Sequence, residues 1–475
     1  MDILASAPGI EPGETPNLLQ PASYGSNIDQ NLYQLDGVDL TDHFNGNART
    51  LVQPSIDTLQ EVEILALGAP AEYGGLEGAV FNVVTRQGTN EFHGGAAFYW
   101  QHDDLTARNT TEEIDLGDPF TRVEYNDVTA QLGGPIIRDK LWFFGAYEHI
   151  HDSFAQPTVP AEAAGFEELD HYFAKLNYQF NANHQLNGLL NFDDRQQDFE
   201  LFPGQKPETA EGTGRDTWVT NLAYTGVVGP NSVLEAQYAG FFVDHSCCEA
   251  GGGGRVIDTR FENLNTGSAS GAIFGWYEYH VDKQTLNGKL SHYAGDFLGA
   301  SHDFKFGVQF SDAPVDGTYG VNDRIYTNDY LTGYGYDYTP YAYGGTVRTL
   351  GSFIDDSVQV GERLQLNLGL RWDNTKARFT DQPVVDGLGG IGSEIVPGFD
   401  VYTWNTLSPR IGFNLDLTGD GKTVLKGHYG RYYRAGNTGE WVAATSPTRV
   451  VSYFGDWNFE TSRFENLEVN FSPSN

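Results

Sequence analysis

Stretch after stretch of this chain alternates apolar with polar side chains over about ten residues, and that period of two restricts the fold more than any other feature. Leu364, Leu366, Leu368, Leu370 and Trp372 share one face of a strand, while Gln365, Asn367, Gly369 and Arg371 share the other. Phe304, Phe306, Val308 and Phe310 alternate in the same way with Asp303, Lys305, Gly307 and Gln309. In Tyr172, Ala174, Leu176, Tyr178 and Phe180 set against Phe173, Lys175, Asn177 and Gln179, Phe173 alone breaks the rule. Alternation does not say which face is covered, because a soluble sandwich shows the same period with its apolar face inward. Length and ends bear on that choice. About ten residues is what a tilted strand needs to cross a bilayer, and many of these segments carry Tyr, Trp or Phe near their ends, where interfacial girdles belong. Short turns such as Asn181–His184, Gly229–Asn231 and Asp420-Gly421 alternate with long Gly-, Asp- and Tyr-rich connections, of which Asp312 to Val347 is one. Transmembrane barrels show that asymmetry between their two rims.

The composition agrees with an all-β chain: aromatics make up 13% and there are 57 glycines, 26 tyrosines and a single Met. A formal charge of −36 sets the surface against polyanions, so nucleic acid is not an expected partner. No run of apolar residues reaches the length of a transmembrane helix. Met1-Asp-Ile-Leu-Ala-Ser-Ala-Pro8 has neither the basic region nor the apolar core of a signal peptide, so for an exported protein an upstream segment is expected. Cys247 and Cys248 are adjacent, and adjacent cysteines rarely bridge without distorting the backbone, so unbridged thiols at a loop tip are expected.

The first ninety residues read differently. Pro8, Pro12, Pro16 and Pro21 exclude a long regular element at the start. Asp36-Gly37 is a type I′ hairpin signal between Leu32–Leu35 and Val38–Leu40. Ser55 is an N-cap for a short helical turn whose Ile56 and Leu59 are expected to pack on a sheet. Glu61–Leu65 and Val80–Thr85 read as strands, the second covered on both faces.

This region, with Ser55–Leu65, Ala71-Glu-Tyr-Gly-Gly75, Gly78–Arg86 and Gly88–Gly94, resembles the second half of the plug domain of TonB-dependent outer-membrane transporters, in their Oar-like branch. The likeness runs in order through Leu35–Asp39, Leu132–Ile136, Lys140–Glu148, Leu364–Asp373, Ser408–Phe413 and Asp420–Tyr433. It implies an all-β chain with a small α+β plug: a large antiparallel transmembrane β-barrel, incomplete at the C-terminus, with the N-terminal plug domain in its lumen. The implied division is a plug over residues 1–91, truncated at its N-terminus, and a barrel over 92–475. That barrel holds roughly 14 strands, against about 22 in complete plugged transporters. By the same resemblance the chain lies in the outer membrane among its lipids, and takes up or exports a solute when an inner-membrane TonB complex pulls the plug. The family's coupling box has no counterpart in the first residues. Expected solute contacts are the apical loop His43, Phe44, Asn45, Asn47 and Arg49 and the aromatic loop at Tyr334, Tyr336 and Tyr338. Arg86, closing the last plug strand, is expected to lock the plug to a barrel carboxylate, with Glu148 as partner.

Catalytic motifs are missing: there is no Gly-x-Ser-x-Gly, P-loop or His-Glu-x-x-His, so an enzyme is not expected. No cofactor is called for. Asp416–Lys422 resembles half a calcium loop, but Gly427 stands where a bidentate Glu is required, and a hairpin turn is the better reading. His149 and His151 share a strand face without a third ligand. The competing functional readings are an exported soluble sandwich or propeller that binds glycans, and a passive porin or adhesin.

Overall fold

The computed structural model describes residues 30–44, 54–65, 68–105, 120–156, 159–199, 211–248, 259–328, 331–338, 340–385, 391–434, 436–445 and 452–471, with residues 10–11, 22–23, 26, 52, 205–206 and 209 between them. Near the start, β1 (Leu32–Leu35), β2 (Val38–Asp39), β3 (Leu59–Leu65) and β4 (Val80–Thr85) form a four-stranded sheet in the order β2-β1-β4-β3. Asp36 (φ 47°) and Gly37 (φ 80°) turn β1 into β2 in the left-handed region that Asp-Gly tolerates, as the hairpin signal requires. Ser55 caps a 3₁₀ turn at Ile56–Thr58, its Oγ accepting from the Asp57 amide. The turn buries Thr58 rather than the expected Ile56, which is 69% exposed, since three residues are too few to present an apolar stripe.

A single meander follows. Its strands are β5 (His93–His102), β6 (Thr121–Ile137), β7 (Leu141–Ala155), β8 (Gly165–Asn181), β9 (His184–Asp198), β10 (Gly212–Val227), β11 (Ser232–Cys247), β12 (Gly275–Phe297), β13 (Ala300–Val321), β14 (Tyr341–Val360), β15 (Leu364–Phe379), β16 (Phe399–Asp416) and β17 (Val424–Gly430). They make a 13-stranded antiparallel sheet in strict sequence order, and among the described residues the two outermost strands pair with nothing further. Tight turns join the strands at one rim. The turn after β16 is built by the Asp416 carboxylate, which accepts from the amides of Thr418, Gly419 and Gly421, a hairpin device rather than a calcium loop.

The alternation seen in the sequence now has a direction. On β15, Leu368, Leu370 and Trp372 are 40%, 42% and 39% exposed, while Arg371 between them is 2% exposed. Lys175, Asn177, Asn191 and Arg410 are buried on the same inner face. A soluble sandwich would press those apolar rows together; here they face outward. The outward rows end in an aromatic girdle toward the long connections. Tyr147, Tyr172, Phe192, Trp218 and Phe242 are cross-strand partners in turn, with ring centroids 5.1, 6.0 and 4.1 Å apart over the first four. Two residues beyond it, His149, Asp170, Asp194, Asp216, Asp244 and His280 form a second register row, charged where the apolar band stops.

Beyond that row the wall continues. β13 extends to Val321 and β14 begins at Tyr341, so the connection expected over Asp312–Val347 shrinks to residues 322–340. Tyr277, Tyr319 and Tyr341 pair across three strands there and keep the ladder worth forming above the membrane. At this rim Ala269–Gly271, Arg260–Asn263, Arg324–Thr327, Gly333–Tyr338, Ser452–Asn458 and Arg463–Phe471 form a separate six-stranded sheet. The expectation for the cysteines is also corrected. Cys247 and Cys248 are joined in a vicinal disulfide, buried against Ile273, and the positive φ of Cys248 (97°) supplies the backbone turn an adjacent pair needs.

Candidate functional site

The small sheet lies inside the curved wall, and the strands from β6 to β16 reach it from different sides. On β6, Thr129 donates to Asp57 at 2.9 Å. Lys175 on β8 holds Asp36 at 2.9 Å and also donates to Thr85 Oγ1 at 2.9 Å. Asn221 on β10 donates to the Asp36 carbonyl at 2.9 Å, and Lys283 on β12 pairs with Asp39. The plug segment Ala69–Tyr73 is gripped hardest. Asp355 on β14 accepts from the amides of Ala71 and Glu72 at 2.9 and 3.0 Å. Arg371 on β15 donates to the carbonyls of Ala71 and Glu72 at 3.3 and 3.2 Å while held by Asp373. Arg410 on β16 donates to the carbonyls of Ala69, Pro70 and Tyr73. Glu72 itself is bracketed by Lys289 at 3.2 Å and Lys305 at 3.0 Å.

The charges of this seam run opposite to the expected lock: the plug supplies carboxylates and backbone, and the wall supplies lysines and arginines. Arg86 does reach the wall, but its Nε donates to the Leu59 carbonyl at 3.1 Å and its Nη1 to the neutral Gln131 at 3.0 Å. The pairing with Glu148 is not formed. Glu148 stands opposite Thr129, one inward-facing step from Gln131, or about 7 Å along the strand. Nothing in the local sequence marked Lys175, Arg371 or Arg410 as plug ligands.

Burial raises the Glu72 pKa, and Lys289 and Lys305 more than offset it, so the carboxyl sits below the ordinary glutamate range. Its contribution to docking is complete above the unfolded pKa, about 4.3, and is lost as pH falls through the lower docked value. The urea concentration that exposes the plug to protease is therefore expected to stay constant from about pH 7 to 5 and to fall below about pH 4. E72Q should flatten that acid limb; an unchanged limb in E72Q would assign it to another carboxylate.

The apex expected to face outward is covered. His43 and Phe44 are capped by the segment leading into α1 (Gly439–Thr445): Thr438 and Gly439 donate their amides to the two carbonyls at 2.9 and 2.8 Å. Burial, with Lys283 nearby, pushes the His43 imidazole down to about 3 and keeps it neutral. Phe44 lies between Tyr279 and Tyr343, both centroids 5.2 Å away. Asn45, Asn47 and Arg49 lie outside the described residues. Tyr334 and Tyr336 are on the six-stranded outer sheet, packed on Phe454 at 5.8 and 5.4 Å; Tyr338 ends the same strand, its side chain outside the described residues. Apex and tyrosine strand thus stand on separate elements. His149 and His151 each face a carboxylate, Asp170 and Glu168, both at 3.1 Å, as strand-borne polar pairs. A cavity of about 340 Å³ is lined by plug residues Gln34, Asp36 and Asn82 and by Gln237, Asn287 and Gln309 of the wall, so the seam is polar and loosely filled on that side.

Comparison with known proteins accords with this geometry. Residues 84–166 and 158–474 match the family described as outer membrane beta barrel domain. The chain is 25% identical over 516 residues to the TonB-dependent transporter Oar of Myxococcus xanthus, covering 86% of this chain and 47% of that protein. It is 23% identical over 337 residues to the probable TonB-dependent siderophore receptor PirA of Acinetobacter baumannii, covering 67% of this chain and 41% of that one. The chain thus spans about half the length of the curated relatives it matches. Among solved structures, the outer membrane transporter YddB of Escherichia coli superposes with a TM-score of 0.71 at 12% identity, covering 94% of this chain and 60% of that one. The ferric citrate transporter FecA gives 0.67 at 12%, covering 96% and 64%. Outward apolar rows, an aromatic girdle and a plugged interior have the same meaning as the family match: the chain is an outer-membrane protein and belongs to the outer membrane beta barrel domain family.

Proposed function

We propose that residues 1–91 act as the plug and residues 92–475 as the barrel wall of a TonB-dependent transporter, which moves a solute across the outer membrane when an inner-membrane energy complex draws the plug aside. The observation that carries this reading is the chemistry of the seam. Around Asp36, Asp39 and Ala69–Tyr73 the plug is held by hydrogen bonds and ion pairs to inward-pointing wall residues, beside a polar cavity, and such contacts exchange with water at small net cost when the plug shifts. Elsewhere the contact is apolar, with Leu35, Val38 and Leu40 of the plug in one buried cluster with Phe144, Phe173, Val219 and Phe241 of the wall. The relatives named above are a transporter and a receptor, and the proposed activity is transport without bond chemistry. The candidate solute contacts are Phe44 and His43 at the apex, Asn45, Asn47 and Arg49 next to them in sequence, and Tyr334, Tyr336 and Tyr338 on the outer sheet.

The test is uptake by cells bearing the protein, with labelled ferric siderophores, cobalamin, oligosaccharides and peptides offered in parallel. One class should accumulate, and an uncoupler that collapses the proton-motive force should stop it. Accumulation that survives the uncoupler would establish a passive pore.

A further inference from the structure

Above the level of the plug sheet, the inward side chains of neighbouring strands fall into one row. Arg195, Arg215, His245, Tyr279, Gly317 and Tyr343 are direct cross-strand partners in turn, from β9 to β14. Tyr277, Tyr319 and Tyr341 form a parallel row one inward step further out. The two rows make a continuous aromatic wall. His245 lies 4.9 Å from the Tyr279 ring and its Nδ1 is 2.6 Å from the Tyr279 hydroxyl; the rings of Tyr319 and Tyr341 are 5.5 Å apart. Gly317 carries no side chain between Tyr279 and Tyr343, where a Cβ would crowd both. At one end the wall meets the plug apex, with Phe44 stacked on Tyr343.

At the other end stand two guanidinium groups on directly opposed residues, an arrangement that is repulsive unless carboxylates balance it. Arg195 is balanced: Glu167 takes its Nε and Nη2 at 2.8 and 2.7 Å. The other nearby carboxylate, Asp193, is taken by His171 at 2.6 Å and Asn191 at 3.0 Å. Arg215 is left over. Its Nε is buried with no hydrogen-bond partner, and among the described residues no ion pair reaches it. A protein with 64 acidic against 28 basic side chains has no shortage of carboxylates to place there. A buried donor left unmet is costly, and the arriving partner that satisfies it binds more tightly by that amount.

We propose that Arg215 is the anion hook of the solute site: it receives a carboxylate or phosphate group of a solute whose planar ring lies on the adjoining tyrosines. The guanidinium fork is built for a planar oxyanion, and the Tyr279 hydroxyl and His245 stand beside it. The tyrosine faces accept a ring without requiring charge. This deepens the transport reading by naming the chemistry of the solute, and it rests on that reading for its role in uptake.

Phenyl phosphate and the neutral phenyl β-glucoside are the probes, titrated against the full chain in detergent by equilibrium dialysis. Phenyl phosphate should bind at least about tenfold more tightly than the glucoside, R215Q should erase that preference, and R215K should keep part of it. Retention of the folded band on unboiled gels checks that each variant is intact; if R215Q fails to fold, the wild-type preference and R215K decide. Equal binding of the two probes by the wild type, no binding of phenyl phosphate, or an undiminished preference in R215Q would overturn the hook. The two readings fail separately. A preference lost in R215Q without any uncoupler-sensitive uptake removes transport and leaves the hook. Uncoupler-sensitive uptake with R215Q indistinguishable from wild type in binding removes the hook and leaves transport.

Discussion

Replacing Arg371 by alanine is expected to weaken plug docking by about 3–5 kcal/mol, the cost of breaking a buried charge pair from one side. The side chain is 2% exposed and among the largest fully buried groups in the protein. It joins four partners: Asp373, the Gln309 amide oxygen at 2.8 Å, and the carbonyls of Ala71 and Glu72. Truncation would strand the Asp373 carboxylate without its cation and leave two plug carbonyls short of a donor. R371K should recover only part, because a point charge cannot hold a carboxylate and two carbonyls in one plane. Approached from the plug, G74A should act in the same direction, since a Cβ at Gly74 would overlap the guanidinium. The measurement is the urea midpoint at which the plug becomes cleavable by protease while the barrel stays folded. A midpoint within about 0.5 kcal/mol of wild type for R371A would mean that Asp355 and Arg410 hold the segment without it.

The second large effect concerns the outer face. L222R on β10 is expected to cost about 2–4 kcal/mol of barrel stability, the range for arginine at the middle of a bilayer. Leu222 is 49% exposed between Gly188 and Tyr238, on the same face as Trp218 of the girdle. In a water-soluble protein that exposure would make the substitution nearly free. D216R, on the same strand and face but in the charged row beyond the girdle, should cost about 0–1 kcal/mol, because there the side chain reaches head groups and water. Refolding into lipid vesicles from urea measures both. Equal, small costs at the two positions would place water along the whole outer face and end the membrane assignment.

Much of this was legible in the chain. The strands lay where the period of two placed them, from Tyr172–Phe180 to Leu364–Trp372, and the Asp36-Gly37 hairpin followed from one dipeptide. The wall above the membrane was harder to read. From Val315 to Val321 and from Tyr341 to Val347 the apolar alternation gives way to Tyr, Thr and Gly, which suit a loop as well as a strand, and only pairing across strands chose between them. The vicinal cysteines were misread because base expectation weighs against such a bridge, whereas the end of β11 provides the turn it needs.

What the sequence by itself determined is local: which residues alternate, where the chain turns, and that one face of every long strand is apolar. Those properties depend on neighbours two to four residues away. The partners inside the lumen were decided by the tertiary structure alone. The bond from Ala71 to Asp355 spans 284 residues, and a slip of two residues in any of the intervening strand pairings would bring a different inward side chain to it. For that reason the direction of the plug lock, the Gln131 partner of Arg86 and the unpaired Arg215 came from the accumulated register of the wall, which no short stretch of sequence contains.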